Sequence, residues 1–230
     1  MLKVQKQIFH PAFNDQRNVW VFDLDNTLYP EKCNLFSQVD VKIGEYVQNL
    51  LGLPADEARK VQKGYLLEHG TTLKGLMSNH KVDPHHYLAH VHDIDLSPVE
   101  RDERLRDLLD ALDGRKIVFT NADRDYAEKV LNRLGVADQF EAIFDIHAAE
   151  LEPKPKREVY DKFIADHEVD PNRAVMFEDM ARNLKPAHAL GMATVWVNTG
   201  NIWGQADHDP SFIHAETETL TDWLHGFLNR

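Results

Sequence analysis

Only one cysteine, Cys33, occurs in this chain of 230 residues. An intrachain disulfide and a two-thiol redox pair are both excluded, and the thiol is read as structural. A reducing compartment is the simplest setting, so the protein is expected in the cytoplasm. Long apolar runs are missing too. No stretch approaches the roughly 20 apolar residues of a membrane span. The opening Met-Leu-Lys-Val-Gln-Lys-Gln-Ile-Phe-His lacks the apolar centre of a signal peptide. Positive charge is scarce: 26 Lys and Arg face 38 Asp and Glu, a net charge of −12. Nucleic-acid polymers and anionic membranes need a basic surface, so neither is expected as a partner. A small anionic substrate stays open, because one metal ion and one lysine reverse the field locally. Repeats and low-complexity tracts are also lacking. Oligomeric state is left open.

Apolar residues make up 43% of the chain, enough for a proper core. Its length allows one or two domains. Residues 1–18 carry no assignable pattern. Val19 to Phe22 is a short β-branched and aromatic run suited to a strand buried on both faces. Asp23 and Asp25 follow at once, and Pro30 bars a continued central strand. The acids thus sit at the carboxyl end of a buried strand, where open α/β sheets bind ligands. Two acids so close repel each other. A hard divalent cation such as Mg²⁺ compensates such repulsion through oxygen ligands. The pair also suits one nucleophile and one proton donor. A strand ending in an acidic turn is the plainer alternative.

From about residue 34 to 113 the pattern is helical. Leu35, Val39, Ile43, Tyr46, Val47, Leu50 and Leu51 mark one helix face, broken by Gly52 and Pro54. Further helices are expected over 55–68, 71–79 with Thr71 as N-cap, 85–92 and 100–112. Buried strands then alternate with helices: strands at 116–119, 142–144, 174–177 and 194–197, helices at 124–134, 157–167, 182–190 and 219–228. This alternation argues a parallel sheet with right-handed crossovers. The helical block between the first two strands is an insertion.

Three later stretches carry chemistry. Thr120-Asn121 ends the second strand, where a hydroxyl and backbone N–H groups suit phosphate oxygens. Lys154 lies between Pro153 and Pro155, which stiffen its loop and orient a point charge. Lys156 and Arg157 are secondary candidates for substrate charge. Glu178-Asp179 ends another buried strand, with Asn183 shortly after. Pro186 is placed near the first turn of that helix. His86 and His90 have helical spacing, but no acid or thiol pattern completes a zinc site, and a solvated face is expected.

These stretches, in this order and each at a strand end, resemble the four motifs of the haloacid dehalogenase superfamily of phosphohydrolases. The resemblance covers residues 19–183. Asp23-Leu24-Asp25-Asn26-Thr27-Leu28-Tyr29 is the form usual in its pyrimidine 5′-nucleotidase-like branch. The implied fold is a Rossmann-like, doubly wound parallel α/β sheet with an inserted helical cap. The core would span 1–30 and 100–230 and the cap 31–99, to within about eight residues.

The resemblance also implies roles. Asp23 is the nucleophile that becomes an aspartyl-phosphate, and Asp25 the general acid and base. Thr120, Asn121 and Lys154 bind the phosphoryl group. Mg²⁺ is held by Asp23, the Asp25 backbone carbonyl, Asp179 and Glu178, with Asn183 supporting the loop. The cap stretch Tyr65 to His92 implies pyrimidine nucleoside monophosphates such as UMP or CMP, with Thr71, Thr72 and Lys74 meeting base or ribose. A glycine-broken turn within the bundle is the bland alternative for those three. Other readings are a phosphoglycolate or sugar-phosphate phosphatase, a phosphomutase, or a non-catalytic binding protein. Relatives that dehalogenate carbon lack an acid at the Asp25 position.

Overall fold

The computed structural model describes residues 9–230. Six parallel strands form one sheet in the order β3-β2-β1-β4-β5-β6. They are β1 (Val19–Phe22), β2 (Arg115–Phe119), β3 (Ala142–Phe144), β4 (Ala174–Glu178), β5 (Ala193–Val197) and β6 (Ala215–Thr217). The β1 run is buried throughout, as its lack of polar alternation requires. Trp20 and Phe22 point into one apolar layer, with Trp223 and Tyr126. Val19 and Val21 point into the other, with Phe119 and Phe163. This two-residue alternation puts helices on both faces.

Helices α1 (Leu35–Leu51), α2 (Ala55–His69), α3 (Thr72–His80) and α4 (Pro84–Val91) follow β1. They build a separate apolar core around Val47, Leu76, Tyr87 and Leu88. Gly75 permits α2 and α3 to meet closely, since a Cβ there would lie 2.3 Å from Cγ of Tyr65. Helix α5 (Glu103–Asp110) instead places Leu105, Leu108 and Leu109 in the first sheet layer. The remaining helices are α6 (Arg124–Leu134), α7 (Arg157–Asp166), α8 (Ala181–Leu190) and α9 (Leu220–Leu228).

Several boundaries differ from expectation for local reasons. Helix α5 starts at Glu103 rather than near 100, because the Asp102 side chain caps the Leu105 N–H at 2.8 Å. Pro186 lies inside α8, past its first turn, so it has no N–H for the Arg182 carbonyl. Strand β6 reads Ala-Glu-Thr, so no apolar run marks it, unlike the equally short Ala-Ile-Phe of β3. Of the opening stretch, residues 1–8 lie outside the described residues. Phe13 is buried, with its ring edge-on to Trp223 at 5.1 Å. No helix among the described residues is long and apolar enough to cross a membrane.

Candidate active site

Strand register brings the acidic stretches together. Phe22 pairs with Val118 on one side and Phe177 on the other. The Asp23 N–H extends the second ladder, donating to the Phe177 carbonyl at 3.0 Å. The chain then turns tightly, with the Thr27 and Leu28 N–H groups both donating to the Leu24 carbonyl. Asn26 sits in that turn at φ +58°, a left-handed conformation that asparagine tolerates well. Its amide donates to Asp179 Oδ2 at 3.3 Å, tying the first acidic stretch to the last.

Lys154 is 1% exposed, and its ammonium is fully engaged. It donates to Asp23 Oδ1 at 2.8 Å, Glu178 Oε1 at 2.9 Å and the Phe119 carbonyl at 2.8 Å. Asn121 grips the lysine backbone, accepting from its N–H at 2.8 Å and donating to its carbonyl at 3.4 Å. The Lys154–Pro155 peptide bond is cis. Thr120 is buried at the end of β2, where its hydroxyl accepts the Ala122 N–H. Asn183 donates to Glu178, and the Met180 N–H adds a further bond at 3.1 Å.

Carboxylate oxygens of Asp23, Glu178 and Asp179 lie within 4.8 Å of one another. Lys154 alone does not balance them. Burial first, then repulsion from Glu178, pushes Asp23 up to about 8 against the pull of Lys154. The same two causes push Asp179 well above the carboxylate range. Glu178 goes the other way. Burial raises it, but Lys154 and the Asn183 amide outweigh that and hold it low. A buried oxygen-only cluster with surplus negative charge fits a hard divalent cation such as Mg²⁺. The Asp25 side chain stands apart from this cluster. Its Oδ1 accepts from Tyr29 Oη at 2.5 Å and Tyr126 Oη at 2.9 Å.

A cavity of about 130 Å³ opens between the sheet and helices α1–α4. Asp25, Asn121 and Ala122 line it from the sheet side. Phe36, Leu73 and Val91 give it apolar walls. Asp40, Gln62 and Lys63 form a polar group among them, with the Asp40 carboxylate accepting from both Gln62 Nε2 and Lys63 Nζ.

The cap residues singled out by sequence are engaged within the protein. Thr71 caps α3 through the Lys74 N–H, and the Thr72 hydroxyl donates to the Gln62 carbonyl. Both threonines also line the cavity, whereas Lys74 pairs with Glu152. Lys156 pairs with Glu152 and Arg157 with Asp161, both half-exposed. His85 and His86 are exposed, as a solvated helix face requires, and each also has a neighbour. His86 bonds the Tyr46 hydroxyl at 3.0 Å, and His85 stacks on His147. Sequence reasoning missed Tyr126, which no local pattern marks, and took His92 only as the end of the cap stretch. Tyr29 belonged to the first motif but carried no role.

The profile of the haloacid dehalogenase-like hydrolases matches residues 20–197. Phosphate metabolism protein 8 of Saccharomyces cerevisiae is 31% identical over 149 residues, which are 60% of this chain and 46% of that protein. The match thus spans less than half of that relative's length. A haloacid dehalogenase-like family protein from Streptococcus pneumoniae superposes with TM-score 0.63 at 17% identity, over 93% of this chain and all of the other. A HAD phosphatase from Thermococcus onnurineus gives 0.58 at 19% identity, over 89% and 95%. L-2-haloacid dehalogenases share the same fold, so the fold alone does not choose between their chemistry and phosphate release. The profile match covers most of the chain, and the chain belongs to the haloacid dehalogenase-like hydrolases.

Proposed function

We propose that this hydrolase is a Mg²⁺-dependent phosphomonoesterase acting on pyrimidine nucleoside 5′-monophosphates. The observation that carries the phosphatase reading is the separation of two carboxylates. Asp23 lies among Lys154, Glu178 and Asp179, while Asp25 is held by two hydroxyls at the wall of the cavity. One environment suits attack on phosphorus, the other proton transfer. An acid at the position of Asp25 speaks against carbon–halogen cleavage. The likeness to the yeast phosphate metabolism protein supports the same chemistry.

Asp23 attacks phosphorus in line, and an aspartyl-phosphate forms as the ester oxygen leaves. Asp25 gives its proton to that oxygen, then takes one from the water that hydrolyses the intermediate. Lys154 neutralises a phosphoryl oxygen, and backbone N–H groups after β1 and β2 donate to others. Mg²⁺, held by Asp23, Asp179, Glu178 and the Asp25 carbonyl, would supply charge stabilisation for the equatorial oxygens. Asn121 acts through Lys154, and Asn183 through Glu178.

The leaving group occupies the cavity beneath α1–α4, which serve as the cap. Its apolar walls suit a flat base better than a small dianion such as phosphoglycolate. Asp40, Gln62 and Lys63 offer hydrogen bonds for a base edge. The test is phosphate release from UMP, CMP, AMP, phosphoglycolate and glucose 1-phosphate, with Mg²⁺ or EDTA. Preference for UMP and CMP, lost in EDTA, is expected. Preference for phosphoglycolate or the sugar phosphate would overturn the substrate class and leave the chemistry standing.

A further inference from the structure

Asp25 Oδ1 receives two phenolic hydroxyls, from Tyr29 in the turn after β1 and from Tyr126 on α6. Each phenol has a single proton to give. With both spent on Oδ1, the 3.4 Å approach between the two hydroxyl oxygens is convergence on one acceptor. No donor among the described residues reaches Oδ2. Both rings are buried, Tyr29 at 0% and Tyr126 at 1% exposure, so water does not compete for the hydroxyls.

Tyr126 is itself held in place. Its backbone N–H donates to Asp123 Oδ1 at 2.8 Å. The other oxygen of Asp123 lies 2.8 Å from His92 Nδ1. The His92 ring stacks on the Tyr126 ring at 4.4 Å and 12°. His92 ends α4 and lines the cavity, so the helical insertion braces the ring that holds the acid.

We propose that Tyr29 and Tyr126 are positioning residues for proton transfer, loading Asp25 Oδ1 so that Oδ2 carries the proton to the leaving oxygen. This rests on the phosphomonoesterase reading. In the first half-reaction the Asp23–P bond forms and the P–O ester bond breaks. The Oδ2 proton passes to the leaving oxygen, which departs as an alcohol. Asp25 is then a carboxylate, and the two hydroxyls stabilise its charge. In the second half-reaction Oδ2 takes a proton from the attacking water. Phosphate leaves, and the Asp23 carboxylate and the Asp25 acid are restored.

The test is a leaving-group series with the whole chain and Mg²⁺. Values of kcat/KM are measured for 4-nitrophenyl phosphate, whose phenolate leaves unaided, and for UMP, whose alkoxide needs a proton. Wild type is compared with Tyr29→Phe and Tyr126→Phe, which keep the rings. kcat/KM reports events up to formation of the phosphoryl-enzyme, so the second half-reaction does not blur the comparison. The aryl-to-nucleotide ratio should rise at least about tenfold in each variant, a part of the roughly 10²–10⁴-fold that general acid catalysis contributes in full. A merely structural role lowers both substrates together, and an unmoved ratio would overturn the inference. Incorporating 3-fluorotyrosine, which alters hydroxyl acidity while keeping the packing, must shift the ratio as well and decides the matter if a Phe variant does not fold. A wild type releasing phosphate from neither substrate defeats the phosphomonoesterase reading itself. A wild type active on both, with variants unchanged in ratio, defeats only the positioning role.

Discussion

Asn121 holds the backbone of Lys154 from both sides, accepting from its N–H at 2.8 Å and donating to its carbonyl at 3.4 Å. These residues come from different loops, and the clamp sets where the ammonium meets Asp23. Asn121→Ala removes both bonds at once. We expect kcat/KM for the phosphomonoester to fall by about 10–100-fold, since small displacements at a reacting centre are costly. Stability should drop by about 1–3 kcal/mol from the unpaired backbone groups. Urea unfolding beside steady-state kinetics reads both, and an Asn121→Ala enzyme with wild-type turnover would show that the clamp does not matter.

Lys154 and Asp23 should respond in opposite directions. Lys154→Met strips the cation from a buried cluster and leaves Asp23 and Glu178 facing each other. Removing one partner of a buried pair typically costs about 3–5 kcal/mol. Asp23→Asn instead removes a charge that burial and Glu178 disfavour. That variant should lose turnover while remaining at least as stable as wild type. Chemical denaturation of the two variants side by side checks the contrast, and equal stability losses would contradict it.

Metal should stabilise the protein apart from any activity. Mg²⁺ bound only by the folded chain adds about 2.7 kcal/mol at 100 times its Kd. The melting temperature should therefore rise with Mg²⁺ and return with EDTA. In Asp179→Asn the metal-free protein should melt no lower than wild type, because that carboxylate is buried beside Glu178 and Asp23. Its response to Mg²⁺ should be largely gone. A full Mg²⁺ shift in Asp179→Asn would remove this residue from the cation site.

A different group, away from the acidic cluster, shapes the acid side of the stability profile. Burial first, then His188, His10 and Arg17, pushes His214 down to about 4. Its Nδ1 accepts the Thr194 N–H at 3.1 Å, which requires that nitrogen unprotonated. The unfolded chain binds this proton near pH 6.5. Between the two values the unfolded state holds a proton that the folded state lacks. The contribution is therefore complete above about pH 6.5 and is lost as pH falls toward 4. His214→Gln should flatten the melting curve against pH in that window relative to wild type. Parallel curves would refute the assignment.

Much of this molecule is legible in one dimension. The buried run of β1, followed by Asp23 and Asp25, marks a strand that ends in chemistry, because apolar length and breaker residues are local properties. So do the runs before Thr120 and Glu178, and Thr71 caps α3 as its position suggests. The reading fails where the cause is not local. Strand β6 has no apolar run and is a strand only through its pairing with β5, and Pro186 sits deeper in α8 than its spacing implies.

The sequence by itself determined the alternation of strands and helices, the insertion after β1 and the residue types of the site, since each is written in neighbours along the chain. Tertiary structure alone decided which of them meet. Register placed Phe22 between Val118 and Phe177 and so gathered Asp23, Lys154 and Glu178 from segments far apart. Packing of α6 and α4 brought Tyr126 to Asp25 and His92 onto Tyr126, and drew Thr72 into a bond with Gln62. Hydrogen bonds and ring stacking act over a few ångströms of space, and no periodicity in the chain encodes a distance between residues a hundred positions apart.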